Sequence, residues 1–122
     1  MKLRTLGRIG GAIQASGFCT LGYIGYGLVS NTDYKKIIEV LLGDYPAEYK
    51  AIGGVVIGLD AILVASAVPI LIGAADGLVD LYNGTHHYFS MQVWKQLTRN
   101  PETKGKIDKS IVNMLSILDK DI

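Results

Sequence analysis

Charged residues vanish from this chain in two long stretches. None occurs between Ile9 and Thr32, and Asp60 is the only one between Ala51 and Ala75. Both runs exceed the roughly 18–20 residues that cross about 30 Å of hydrocarbon. The pattern predicts one membrane helix at about 6–30 and a second at about 51–82. Between them, DYKKIIEVLL (33–42) places Tyr34, Ile37, Ile38, Leu41 and Leu42 on one helical face. Gly43 and Pro46 supply its stop, and its apolar side suits the membrane interface. Residues 83–122 read as two amphipathic helices. Asn100 caps the second of these, Pro101 takes its first position, and Ile107, Ile111, Met114, Leu115 and Leu118 form its narrow apolar stripe.

The expected fold is therefore all-α. It is an integral-membrane hairpin of two transmembrane helices, with a short interfacial helix in the connector and an amphipathic helical tail. The parts are 1–30, 31–50, 51–82 and 83–122. Nine lysines and arginines lie at the two ends (Lys2, Arg4, Arg8 and six from Lys95 to Lys120), against three in the connector (Lys35, Lys36, Lys50). That asymmetry puts both termini on the cytoplasmic or matrix side. Tyr34, Tyr45 and Tyr49 at one level, and Tyr82, Tyr88 and Trp94 at the other, suit aromatic belts.

Composition changes the picture in three places. A formal net charge of +1 gives no reason to expect a nucleic-acid partner. A single cysteine, Cys19, excludes an internal disulfide or a multi-cysteine metal site. The basic start MKLRTLGR could introduce a secretory signal, but the uncharged run outlasts a signal core of about 7–15 residues and lacks a small-residue cleavage site. It reads as a retained membrane helix. With 122 residues there is room for one compact unit or a few packed helices.

Small residues recur every fourth position in both helices. The first shows Gly7, Gly11, Ala15 and Cys19; the second shows Ala61, Ala65, Gly73 and Gly77, beside the pair Gly54/Gly58. Residues four apart share a face, and small ones let helix backbones meet in lipid, where apolar side chains gain nothing by leaving the tails. These rows are expected contact surfaces, within the hairpin and towards other subunits. Asp60 is the exception to the oil. At 1.5 Å per residue it lies some 13 Å into its helix, level with Thr20, Leu21 and Gly22 if the two helices face each other, with Cys19, Thr20 and Tyr23 as its neighbours. Thr20 and Tyr23 are then its expected polar partners. A hydrogen-bonded clamp, a contact with another subunit and a proton-carrying role all fit such a carboxylate. Pro69 should kink the helix.

Few motifs suggest chemistry. Asp76 and Asp80, one turn apart and followed by His86 and His87, have metal-ligand character, but no third ligand stands at telling spacing, and a solvated helix end is the expectation. NGTHH (83–87) resembles the asparagine–glycine–x–arginine–histidine segment of the membrane-anchor subunits of succinate dehydrogenase, which bind haem and quinone. The likeness covers five residues, sets His86 at the arginine position and lacks that family's third spanning helix. TRNPETKGKI (98–107) resembles the polar loop of the proteolipid c subunit of rotary ATP synthases. That resemblance implies that Asp119 stands where the family keeps its proton-carrying carboxylate. Asn113 departs from the family's apolar pattern, the helix from 102 is polar apart from its stripe, and the preceding helix lacks alternating glycines.

No phosphate loop, catalytic triad or cysteine–histidine pair is present, so no catalytic residue, cofactor, metal or small-molecule substrate is expected. The expectation is a non-enzymatic structural subunit of a membrane assembly, its partners being membrane lipids and other membrane protein subunits. A self-polymerising two-helix pilin or coat protein, and a proton- or ion-handling component using Asp60, are the alternatives.

Overall fold

The computed structural model describes residues 1–122 and contains six helices and no strand. In chain order they are α1 (Leu3–Ser30), α2 (Tyr34–Leu42), α3 (Ala47–Ala65), α4 (Ala67–Asn83), α5 (Tyr88–Leu97) and α6 (Pro101–Ile117). The all-α expectation holds. The expected second helix, 51–82, is two helices, starting four residues earlier and breaking at Ser66. No single helix is both long and apolar enough to cross a membrane; α3 and α4 pass that test only together, bent by 41°. For α1 the reason is composition. Its 28 residues suffice in length, but an uncharged run is not an oily one. Seven glycines, Gln14, Ser16, Thr20, Tyr23 and Tyr26 dilute its apolar residues.

The break follows from Pro69. Proline offers no N–H to the carbonyl four residues back and its ring crowds that carbonyl, so Ala65 cannot continue the ladder. The Ser66 N–H and Oγ both donate to the Ile62 carbonyl, at 2.9 and 2.8 Å, closing α3. The kink is a helix end three residues before the proline.

The chain divides into two compact units, Met1–Cys19 with Ile70–Ile122, and Thr20–Pro69. In the first, the start of α1 runs antiparallel to α4 with backbones touching. Gly7 faces Gly84 and Thr85, Gly11 faces Gly77 and Leu81, and the Phe18 ring covers Gly73. A Cβ on Gly77 would fall 2.5 Å from the Ala15 nitrogen, so only glycine fits. The chain ends close this unit. The Leu3 and Arg4 N–H groups, orphans of the first turn of α1, donate to the Lys120 and Leu118 carbonyls at 3.1 and 2.9 Å, and Lys2 pairs with Asp121 as an isolated bridge. Asn100 caps α6 by accepting from the Glu102 N–H at 2.9 Å, and Pro101 stands at the first turn, as expected.

In the second unit α2 packs on α3. Asp33 caps α2 by accepting from the Lys36 N–H, and Gly43 ends it. Only part of its apolar face is used. Ile37 and Leu41 lie over Gly53, whereas Ile38 and Leu42 stay exposed.

Candidate functional site

Two polar constellations are built into these helices. The larger lies in the first unit. Asp76 and Asp80, one turn apart on α4, are 0% and 2% exposed, so the expected solvated helix end is in fact sealed. Gly84 makes this possible. At φ +73° it adopts the left-handed conformation in which helices commonly stop, and the chain folds back so that residues 85–90 return to α4. The Thr85 hydroxyl donates to Asp80 Oδ1 at 2.8 Å, and the His87 and Tyr88 N–H groups donate to Asp80 Oδ2 and Oδ1 at 2.9 and 3.3 Å. The Ser90 N–H donates to Asp76 Oδ1 at 2.9 Å, Gln14 Nε2 to Asp76 Oδ2 at 2.8 Å, and His87 Nδ1 pairs with that same oxygen at 2.7 Å.

This arrangement is a clasp. The first turn of α5 has unsatisfied N–H groups, and the preceding residue, His87, caps none of them with its side chain. Two carboxylates borrowed from α4 serve instead, and their charge suits the positive end of the helix. His87 tolerates φ 56°, the only positive value at a non-glycine residue, because its N–H and its ring are both held.

Asp76, Asp80 and His87 also place one oxygen or nitrogen each within 4.8 Å of one another, the spacing of a loose metal set. Zinc holds such donors at about 2.0–2.2 Å, so two of them cannot exceed roughly 4.4 Å across the ion. Each of these carboxylate oxygens already accepts a hydrogen bond, and His87 Nδ1 lies 2.7 Å from Asp76 Oδ2, so an ion placed here would compete with the clasp for the same atoms. Beside it, a cavity of about 280 Å³ is lined mainly by apolar side chains such as Leu3, Leu6 and Met114. Its Gln14, Asp80 and Thr85 are already bonded in or next to the clasp, and His86 is its remaining polar side chain.

The second constellation belongs to the second unit. Asp60 is buried, 6% exposed, and the hydroxyl that reaches it is that of Tyr34 on α2, donating to Oδ2 at 2.6 Å. The expected partner Tyr23 is instead 80% exposed. The hydrogen bond to the Asp60 carboxylate raises the Tyr34 pKa above its ordinary 10.0, with desolvation and the carboxylate's charge acting the same way; a hydrogen bond with Thr32 opposes them.

The small-residue rows separate into two groups. Gly7, Gly11, Ala15, Gly73 and Gly77 meet across α1 and α4. Gly54, Gly58, Ala61 and Ala65 are all exposed, and a Cβ on Gly54 or Gly58 would meet nothing within 4 Å. Cys19 and Thr20 are exposed as well. Asp119 is no buried proton carrier. It is 72% exposed and pairs with Arg4 Nε at 3.3 Å, while Arg4 Nη1 donates to the Asn83 carbonyl at 2.7 Å. Gln14 joins through its side-chain amide, Thr85 through its hydroxyl and Ser90 through its backbone N–H, and none of these carries a spacing signal across so many residues.

No known protein family, no curated protein and no solved structure matches this chain.

Proposed function

We propose that this chain is a non-enzymatic structural subunit of a larger membrane assembly, joined to its neighbours through the small-residue face of α3. The observation carrying this reading is the contrast between the two glycine rows. One is consumed in backbone contact between α1 and α4; the other, Gly54 and Gly58 with Ala61 and Ala65, has the same design and stands open. Thirty large apolar or aromatic side chains are exposed, against only Ala15, Ile111 and Leu118 buried among apolar residues. Apolar exposure on that scale calls for lipid or protein cover. In this reading α3 and α4 enter the bilayer as a broken span, and a helix of another subunit lies along α3. The pairing of Lys2 with Asp121 supports placing both chain ends on one side, and the lysine and arginine asymmetry favours the cytoplasmic or matrix side.

The test uses the open face. Gly54→Leu and Gly58→Leu have room in the isolated chain, so helicity should survive while co-extraction of partners in mild detergent fails. Mass spectrometry of what remains attached to the unaltered chain separates the alternatives. Unlike chains support the subunit reading, whereas copies of this chain alone support the self-polymerising one. A bare monomer in mild detergent, or partners that ignore both leucines, would reject the proposed interface.

A further inference from the structure

We propose that the α5–α6 hairpin carries a docking surface for an anionic lipid leaflet, which deepens the membrane-subunit reading and rests on it. Lys95 Nζ ties α5 to α6 through Asp108 at 2.6 Å. Between the helices runs an open groove lined by Met91, Trp94, Thr103, Lys106 and Ile107. Trp94 is 61% exposed, and Leu97, one turn on, is 72% exposed. A tryptophan with an apolar body and one N–H donor is suited to the boundary between headgroups and tails.

Charge complementarity selects the occupant. Residues 88–117 hold five cations and two acids, and both acids are already engaged, Asp108 with Lys95 and Glu102 with Lys106 at 3.8 Å. Arg99, Lys104 and Lys109 are exposed and pair with no acid. Arg99 follows the exposed end of α5, and Lys109 lies one turn beyond the groove residue Lys106. Apolar anchors beside spare cations are the composition that binds a negatively charged bilayer surface. A neutral apolar partner would leave those cations idle.

Trp94 is the only tryptophan in the chain, so its emission reports on this surface alone. The full chain is reconstituted in phosphatidylcholine vesicles, with and without phosphatidylserine. With phosphatidylserine, Trp94 emission should shift to the blue and be quenched by brominated lipid. Both effects should reverse in 1 M salt, where the screening length is about 3 Å. The combined variant Arg99→Gln, Lys104→Gln, Lys109→Gln removes only exposed, unpaired charge, so it should keep its helicity and lose the shift. Emission indifferent to lipid charge, or a shift that survives in the triple variant, overturns the proposal. An alkaline wash followed by flotation with neutral vesicles tests membrane insertion separately. A chain that washes off, yet shows a salt-sensitive shift with anionic vesicles, keeps this surface and loses the spanning reading.

Discussion

Glycine means opposite things at two sets of positions in this chain. At Gly11 a side chain would be driven into the backbone of α4. Gly11→Leu should therefore cost about 1–3 kcal/mol as overpacking and lower the thermal midpoint of the helical signal. At Gly58 the space is open, and Gly58→Leu should melt no lower than the unaltered chain, since leucine favours a helix by close to 1 kcal/mol over glycine. Equal effects at the two sites would refute this division. Asp76 concentrates three hydrogen bonds on a carboxylate with no exposure. Asp76→Ala removes the acceptor shared by the part-buried Gln14, His87 and Ser90 donors and should cost about 1–2 kcal/mol, with amide exchange accelerating first at residues 88–91. For Tyr34 the folded-state pKa is raised, so the neutral phenol favours the folded state. Its contribution is complete below about pH 10 and is lost as pH rises through the raised value. Alkaline titration should loosen α2 from α3, and Tyr34→Phe should abolish that alkaline step while loosening the helix at neutral pH.

Among the helices, the ends carry more information than the middles. Pro69 ends α3 as expected of a proline in a helical run, and Pro69→Ala should let the ladder continue from α3 into α4. Amide exchange at residues 66–68 should then slow; unchanged exchange would assign the break to packing instead. The short α5 is held at its start by α4 rather than by its own cap. A helix of ten residues is marginal alone, so its order depends on the clasp and on α6, to which Lys95 ties it. Caps and stops were legible at Gly43, Asn100 and Pro101 because each acts on its immediate neighbours. The clasp was not, because it joins Gln14 to residue 76 and residue 76 to residue 90.

At the level of the whole molecule, apolar residues are plentiful and buried apolar residues are few. Hydrophobic burial of about 25 cal/mol per Å² is the chief source of stability for a folded chain in water, and here most of that surface is unspent. The purified chain in plain buffer should self-associate or precipitate, whereas mild detergent should keep it dispersed and helical. Light scattering and circular dichroism with and without detergent check this; a monodisperse monomer in plain buffer would remove the case for a covering partner.

Sequence alone determined the helical class, the ends of α2, the start of α6 and the two rows of small residues, because periodicity, caps and prolines act over a turn or two. It also marked Asp60 as a carboxylate needing a partner, while Asp76 and Asp80 read as a solvated helix end. Tertiary structure decided who those partners are and which glycines are already in use. Whether a carboxylate is solvated or sealed, and whether a glycine is contact or vacancy, depends on which distant segment folds back against it. That return path is set at Gly84 and at the joined chain ends, where side chains far apart in number become neighbours.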